Sequence, residues 1–260
     1  MKRSFFLIFF LASCSINETK DTPLYISADS SSFVILDKNK FDEKGFEIIK
    51  GNKNFIIVGL PYVDNEEIRN YGEYVIKILP KFFGESRIEI SDSNLVTPKL
   101  SDQERASAEY LKVKKIIKGK TSQFDNDFNF IPPVNSVITS QFGKRRFING
   151  NPRSPHMALD IRGNVGRKIV APKTGRVVMA EQHFYGGNKI ILDHGGGLFT
   201  AYSHLNEFEV EEGDIVMKGD IIGYVGMTGR VTGPHLHWEV YLNEERINPE
   251  LLIDLKYAQD

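Results

Sequence analysis

Short β-type runs separated by glycine turns fill the C-terminal half of this 260-residue chain, from Phe130 to about Leu252. For example, the runs Lys189-Ile190-Ile191-Leu192 and Leu198-Phe199-Thr200-Ala201 flank the triple glycine at 195–197. Short runs rich in β-branched side chains and bounded by glycine are typical of strands that are joined by tight turns. Because no convincing helical periodicity interrupts them, the sequence predicts an antiparallel β-domain over residues 130–255.

A second β-rich segment precedes this domain. Runs such as Phe55-Ile56-Ile57-Val58 and Tyr74-Val75-Ile76-Lys77-Ile78 are separated by turn residues, including Gly51-Asn52. The pattern predicts a small β-domain over residues 24–100. This stretch contains neither histidine nor cysteine, so we expect no site chemistry there.

One helix is expected between the two β-rich segments, over residues 101–119. Ser101-Asp102-Gln103-Glu104 has the pattern of a capping box at a helix start. Gly119 suits a helix end, and the polar residues 120–129 read as a linker. An apolar stripe with helical spacing runs along the segment, formed by Ala106, Tyr110, Val113 and Ile117.

The first residues of the chain have the features of a secretory signal. Met1-Lys2-Arg3 is basic, and an uninterrupted apolar run from Phe5 to Ala12 follows it. The run ends in Leu11-Ala12-Ser13-Cys14, which resembles the lipobox of bacterial lipoproteins and contains the only cysteine of the chain. A plain secretory signal with an incidental cysteine, or a cysteine buried in the core, are the alternatives.

The lipobox resemblance implies a signal peptide over residues 1–13, lipidation at Cys14 and a polar tether over residues 14–23. Acyl chains on a cysteine attach a protein to a membrane surface. The expected location is therefore extracytoplasmic, with the protein lipid-anchored to a cell-envelope membrane. No apolar run reaches the ~18 residues that a transmembrane helix needs.

Charge and cysteine content exclude several classes of protein. Lys and Arg number 33 against 34 Asp and Glu, for a net charge of -1. Because nucleic-acid-binding domains are normally strongly basic, no nucleic-acid partner is expected. A single cysteine excludes a disulfide framework and any metal site built from several cysteines.

All six histidines lie between residues 156 and 237. His235 and His237 are two residues apart, so in a strand they project from one face. His156 and Asp160 would be about 13 Å apart along a straight strand, so the segment must bend if both bind one metal. Catalytic zinc takes three nitrogen or oxygen ligands and keeps one position for water. The stretches at 155–160, 201–205 and 233–239 contain four histidines and Asp160, so a ligand set of His, Asp and His leaves two histidines for proton transfer. The chain lacks His-Glu-x-x-His, the zinc motif with a glutamate base.

Together these stretches resemble the lysostaphin/LytM-type zinc endopeptidases of bacterial cell walls. The resemblance covers roughly residues 131–252, and its densest matches are residues 139–143, 156–160, 202–205 and 228–239. It implies a compact antiparallel β-fold with one Zn²⁺ at the floor of a groove. It also implies that His156, Asp160 and His237 are the zinc ligands and that His204 and His235 are the catalytic histidines.

A few residues fall outside these roles. Ala158 stands where the family usually has glycine, which predicts a slightly tighter groove. His183 and His194 match no ligand or catalytic position and are expected to be structural. Glu239 shares a strand face with the two histidines, so it either supports a zinc ligand or lies at the rim of the groove.

The resemblance implies a zinc-dependent endopeptidase that hydrolyses peptide cross-links between peptidoglycan stem peptides. The N-terminal β-domain would position the enzyme or cover its groove. Two alternatives remain: a catalytically silent regulator of a cell-wall amidase with the same fold, and a wall-binding lipoprotein with a structural zinc. The sequence identifies no protein partner.

Overall fold

The computed structural model describes residues 23–41 and 45–253. The predicted signal peptide and Cys14 therefore lie outside the described residues. Within them, no helix is both long and apolar enough to cross a membrane.

The N-terminal segment forms two three-stranded sheets around a small apolar core. One has the order β1-β6-β5, with β1 parallel to β6, and the other has the antiparallel order β2-β4-β3. Gly51 and Gly72 take positive φ angles at the tips of the β3–β4 and β5–β6 hairpins, as tight turns require. The six strands of these sheets are β1 (Leu24–Asp29), β2 (Phe33–Asp37), β3 (Phe46–Lys50), β4 (Lys53–Gly59), β5 (Glu67–Tyr71) and β6 (Tyr74–Leu79). A seventh strand, β7 (Glu85–Ile88), belongs to a separate sheet.

A short helix α1 (Ser93–Val96) and the long helix α2 (Leu100–Ile116) follow. The predicted capping box was wrong: α2 begins one residue before Ser101, its N-cap is Lys99, and no side chain caps it. Instead, the Gln103 side chain donates a hydrogen bond to the Pro98 carbonyl.

The predicted stripe on α2 is only partly buried. Val113 and Ile117 pack into the protein, whereas Tyr110 is 58% exposed. The helix ends at Ile116, and Gly119 donates its backbone N–H to the Ile116 carbonyl without taking a positive φ. The helix thus ends before Gly119, which lies two residues beyond the C-cap Ile117 and not at the helix end that the sequence indicated.

The C-terminal half contains a ten-stranded sheet whose pairings are all antiparallel, as predicted. Its main path runs β16-β13-β14-β15-β18-β11-β8, and β12, β17 and β19 attach to it. Two further strands of this half, β9 and β10, belong to a separate sheet. The twelve strands of the half are β8 (Ile138–Ser140), β9 (Arg145–Ile148), β10 (Asn151–Arg153), β11 (Leu159–Arg162), β12 (Lys168–Val170), β13 (Gly175–His183), β14 (Gly187–Asp193), β15 (Leu198–Phe208), β16 (Ile215–Val216), β17 (Ile221–Val225), β18 (His235–Leu242) and β19 (Glu245–Ile247).

The two faces of this sheet have different roles. The inner face carries Tyr202, Trp238 and other fully buried side chains of the main core. On the outer face Phe199 and Tyr241, which are register partners, pack against Val113 of α2. Because side chains alternate along a strand, the outer face also carries the residues of the candidate site described below.

The N-terminal segment and the C-terminal half are joined by a common apolar core and by a common small sheet. Phe46, Ile48 and Ile57 of the second small sheet belong to the same core cluster as Trp238. In addition, β7 pairs in parallel with β9, and β10 completes that three-stranded sheet. The core is therefore continuous across the predicted linker at residues 120–129.

Candidate metal centre

Strands β11 and β18 bring the first two predicted ligands together. Asp160 and His237 are direct register partners, and their neighbours in sequence, such as Leu159 and Trp238, are fully buried in the core. Alternation therefore turns Asp160 and His237 to the outer face, where His237 Nδ1 lies 2.8 Å from Asp160 Oδ1. The main core thus fixes the positions of both side chains.

His156 reaches the same point from a loop. It lies before β11, so the segment bends between His156 and Asp160 instead of running as a straight strand. His156 Nε2 lies 3.0 Å from Asp160 Oδ1 and 3.2 Å from His237 Nδ1. A tetrahedral zinc with bonds of about 2.0–2.2 Å places its ligand atoms roughly 3.4 Å apart, so small outward shifts would admit the ion.

The hydrogen bonds of the two imidazoles present the correct nitrogen atoms to a metal. His156 Nδ1 lies 3.1 Å from the Gln141 carbonyl oxygen, which can only accept, so this nitrogen carries the proton. His156 Nε2 is then left as a lone-pair donor. On the other imidazole, His237 Nε2 faces Glu239 Oε1 at 3.6 Å and leaves Nδ1 for the metal. Such outer partners orient metal ligands and fix their tautomers.

The charges of this group also suit a cation. Burial alone would raise the pKa of the Asp160 carboxyl, but hydrogen bonds from His156 and His237 outweigh burial and hold it well below its usual value. Burial lowers the pKa of His156 and favours its neutral form. Burial would lower the pKa of His237, but hydrogen bonds to Asp160 and Glu239 outweigh burial and raise it. Once His237 has lost its proton, the ionised carboxylate and two imidazoles are a donor set that zinc accepts.

Glu239 is a buried carboxylate that is held by several partners. Lys189 Nζ lies 3.0 Å from its Oε1, Arg246 lies 3.6 Å from its Oε2, and the Tyr241 hydroxyl donates to it. Burial would raise the pKa of Glu239, but the charges of Lys189 and Arg246 keep it well below its usual value. Glu239 is 6% exposed, so it lies under His237 and not at an exposed rim.

His204 and His235 lie next to the predicted ligands, with His204 beside His237. The ring centroid of His204 lies 5.1 Å from that of His235 and 5.5 Å from that of His237. His204 Nδ1 lies 2.8 Å from the Thr228 carbonyl oxygen, and His235 Nδ1 lies 2.9 Å from the Gly233 carbonyl oxygen. Both Nδ1 atoms therefore carry protons, and both Nε2 atoms are left as acceptors.

A β-bulge in β15 gives His204 its orientation. Ser203 and His204 together stand opposite one residue of β14, because Leu205 pairs with Asn188 whereas Tyr202 pairs with Ile190. His204 also has a φ of 69°, in the left-handed region that non-glycine residues rarely adopt. Non-glycine residues in this region are strained and are frequent at functional sites. Without the bulge, alternation would turn His204 to the core side together with Tyr202.

The structure thus brings all five predicted site residues together, in two overlapping groups. His156, Asp160 and His237 form one group that could hold a metal, and His204, His235 and His237 form another. Only the first contains a carboxylate. Burial, followed by the nearby imidazoles, holds the pKa of His204 well below its usual value, so His204 is a neutral base. The division into ligands and catalytic histidines stays a prediction.

Beside the histidines lies a cavity of about 360 Å³. Helix α2 supplies one wall, which includes Tyr110 and Val113, and Ile88 of β7 lies in another. The N-terminal segment, where we expected no site chemistry, therefore contributes to the surroundings of the site. The sequence also failed to point to the charged side chains that line this cavity, namely Glu109, Arg146, Lys189, Arg230 and Arg246.

The remaining predictions concern single residues. Ala158 is fully buried, so its methyl group packs in the interior of the protein. His194 is also fully buried, with its ring nitrogens 2.9 Å from the Thr174 carbonyl oxygen and 2.8 Å from Thr200 Oγ1. His183 lies at the edge of the cavity, and its Nε2 is 2.9 Å from Glu181 Oε1.

Residues 154–249 match the sequence model of peptidase family M23. The DD-carboxypeptidase/endopeptidase Mpg of Neisseria meningitidis is 36% identical over 131 residues, which are 50% of this chain and 30% of that protein. The peptidoglycan DD-endopeptidase ShyA of Vibrio cholerae is 39% identical over 119 residues, which are 45% of this chain and 28% of that protein. The matches thus span less than a third of these relatives.

A crystal structure of an M23 peptidase from Pseudomonas aeruginosa has the same fold, with a TM-score of 0.70 at 23% identity. It covers 86% of this chain and 94% of that one, so the shared fold includes most of the N-terminal segment. The chain thus matches peptidase family M23 over residues 154–249, a stretch that includes all five residues of the candidate centre.

Proposed function

We propose that this protein is a zinc-dependent endopeptidase that hydrolyses peptide cross-links of peptidoglycan. One observation carries the proposal: two imidazoles and an ionised carboxylate converge within 3.2 Å, beside two further imidazoles whose Nε2 atoms remain acceptors. The relatives from Neisseria meningitidis and Vibrio cholerae, which are named as enzymes acting on DD bonds, support the choice of substrate.

His156, Asp160 and His237 would hold the metal. Zinc, when bound, supplies a Lewis acid that polarises a carbonyl and lowers the pKa of water. The chain itself supplies the proton transfer. His204 is neutral and fixed through Nδ1, so its Nε2 can accept a proton from the attacking water and return it to the leaving amine. His235, whose Nδ1 is likewise fixed, leaves its Nε2 as a second acceptor, which can accept a hydrogen bond from the attacking water and so orient it.

The catalytically silent regulator and the wall-binding lipoprotein with a structural zinc are less well supported. Neither would need His204 to be held in a strained backbone conformation beside the predicted ligands. A structural zinc site would also be expected to have four protein ligands, whereas the carboxylate-containing group supplies three.

Digestion of purified peptidoglycan tests the function. We expect the zinc-loaded full-length chain to release cross-link cleavage products that mass spectrometry identifies. His204→Ala should reduce this release by a factor of about 10²–10⁴, and His183→Ala serves as a matched imidazole deletion. If the wild-type chain releases no peptide but stimulates a cell-wall amidase, the regulator is the correct function.

We further propose that Cys14 is lipidated and anchors the protein to a cell-envelope membrane, on its extracytoplasmic side. The support comes from the sequence: the basic first residues, the apolar run from Phe5 to Ala12 and the lipobox-like end of that run. Peptidoglycan is extracytoplasmic, so this location agrees with the proposed substrate. The polar residues that follow Cys14 would serve as the tether.

A further inference from the structure

One wall of the cavity beside the candidate metal centre carries two arginines, Arg146 and Arg230. Arg146 lies on β9, where its register partner on the neighbouring β7 is Ser86. Two positions along β9, Ile148 lines the same cavity, so this face of the small sheet forms the wall. Neither arginine is needed to hold the metal or to move a proton in the proposed reaction.

The buried Nε of Arg146 has no hydrogen-bond acceptor among the described residues. Burial lowers the pKa of Arg146, and the charge of Asp160, which acts through space, raises it by less. Asp160 directs its hydrogen bonds to His156 and His237. A buried donor that lacks an acceptor is unfavourable, so this guanidinium is suited to a ligand that brings one.

Arg230 lies on the loop between β17 and β18, and its guanidinium stacks over the Tyr185 ring at 4.1 Å from the centroid. Stacking uses the flat face of a guanidinium and directs its N–H groups outward in the plane. Burial lowers the pKa of Arg230, and the charge of Arg146 lowers it further. The two arginines are therefore close enough for their positive charges to repel each other.

The other carboxylates that line this cavity, Glu109 and Glu239, form hydrogen bonds and ion pairs with residues other than Arg146. Glu109 accepts hydrogen bonds from the Arg105 guanidinium and from the Phe184 backbone N–H. Glu239 is held by Lys189, together with Arg246 and Tyr241. Among the described residues that line the cavity, the acidic side chains are thus engaged away from Arg146.

We propose that Arg146 and Arg230 form a subsite that binds a carboxylate of the peptide substrate, close to the scissile bond. This inference rests on the proposed peptidase function. The ligand is a carboxylate because a guanidinium binds its two oxygens through two parallel hydrogen bonds. In a peptide that ends in D-Ala-D-Ala, the terminal carboxylate belongs to the residue that supplies the amine of the last amide bond, so such a peptide is a simple probe for this subsite. Arg146, Arg230 and Asp160 line the same cavity, so a carboxylate bound by the arginines would lie beside the candidate metal centre.

A matched pair of peptides tests the subsite: diacetyl-Lys-D-Ala-D-Ala with a free carboxylate, and the same peptide with a terminal carboxamide. Binding is measured by NMR titration of the zinc-loaded full-length chain carrying His204→Ala, which prevents turnover. We expect the carboxylate peptide to bind about 10- to 100-fold more tightly than the carboxamide. Arg146→Met should abolish this preference, and Arg146→Lys should retain a few-fold part of it because the charge remains.

Arg145→Met is the matched control. It removes the same charge one position away, on the opposite face of β9, where Arg145 packs over Phe82. Zinc content is measured for every variant, because a loss of zinc in Arg146→Met would show that Arg146 acts on Asp160 and not on the substrate. That result would overturn the proposal.

The subsite would also be overturned if the protein that retains Arg146 bound the two peptides equally tightly. The same conclusion would follow if it bound neither peptide measurably. This measurement does not depend on turnover. A chain that prefers the carboxylate peptide but does not digest peptidoglycan would contradict the proposed function and leave the subsite supported. A chain that digests peptidoglycan but does not prefer the carboxylate peptide would support the proposed function and contradict the subsite.

Discussion

Replacing Glu239 by glutamine removes one buried negative charge from beneath the candidate metal centre. The carboxylate lies 3.0 Å from Lys189 Nζ and 3.6 Å from His237 Nε2, and both Glu239 and Lys189 are less than 10% exposed. We expect two separate losses from Glu239→Gln. Removing one partner of a buried ion pair lowers the free energy of unfolding by about 3–5 kcal/mol. Removing the outer partner of a metal-binding histidine weakens metal binding about 10- to 100-fold.

The double variant Glu239→Gln/Lys189→Met separates the two losses. It removes the ammonium that the single variant leaves uncompensated, so we expect it to recover most of the lost free energy of unfolding. Zinc affinity should stay low, because His237 Nε2 still faces a neutral amide. Urea unfolding of the metal-free chain measures the first quantity, and competition with a chelating dye measures the second.

Glu181→Gln is the control for the removal of one negative charge. Glu181 pairs with Lys112 at the surface, where an ion pair contributes about 0–1 kcal/mol, and it lies away from the predicted ligands. Unchanged zinc affinity in Glu239→Gln would refute the role of this carboxylate at the metal. If the double variant regained zinc affinity together with stability, the effect on the metal would have come through the fold.

Three further predictions follow from individual residues. His204→Ala and His235→Ala should retain zinc in metal analysis at limiting metal, whereas loss of one of the three predicted ligands should remove it; a His235→Ala chain without zinc would reverse the assignment of roles. In detergent phase partition, the Cys14→Ala protein should move to the aqueous phase and carry no metabolic lipid label. Lipid label that persists on this variant would contradict the proposed anchor. Burial lowers the pKa of His194 to about 4, from an unfolded value of ~6.5. The stability that neutral His194 contributes is full above pH ~6.5 and is lost as pH falls towards 4, by about 3 kcal/mol in total. Urea unfolding across this pH range should show a smaller loss for His194→Gln than for the wild type, and identical losses would contradict the reasoning.

The metal group was largely predictable because it depends on strand alternation. His235 and His237 share a face on any regular strand, and their buried neighbours Leu236 and Trp238 determine which face that is. The bend between His156 and Asp160 was likewise required if both residues were to reach one metal. Residue types, spacing and turn positions thus carried most of the information on this part of the site.

The orientation of His204 could not be predicted in this way. Counting along β15 from the buried Tyr202 turns His204 to the core, and only the bulge at Ser203 and His204 reverses its direction. A bulge adds one residue to one strand and leaves the composition of that strand unremarkable. Its existence follows from pairing with β14, which is a contact between distant segments.

Pairing between distant segments also explains why residues 24–100 were not expected to supply site chemistry. Their sequence contains neither histidine nor cysteine, but β7 pairs with β9 and so supports the strand that carries Arg146. Ile88 of β7 lines the cavity directly. A segment can therefore shape the surroundings of a candidate site through backbone pairing and apolar contacts alone.

The same pairing determines how the N-terminal segment should be studied. Phe46 and Ile57 are buried in the core that also contains Trp238, the neighbour of His237. Deleting the segment would expose this core and remove the strand beside β9, so a truncated chain would lose stability and the cavity wall at the same time. Loss of activity on truncation would then say nothing specific about the groove. Single substitutions on α2, such as Tyr110→Ala at a 58% exposed position that lines the cavity, alter the groove while the shared core stays intact.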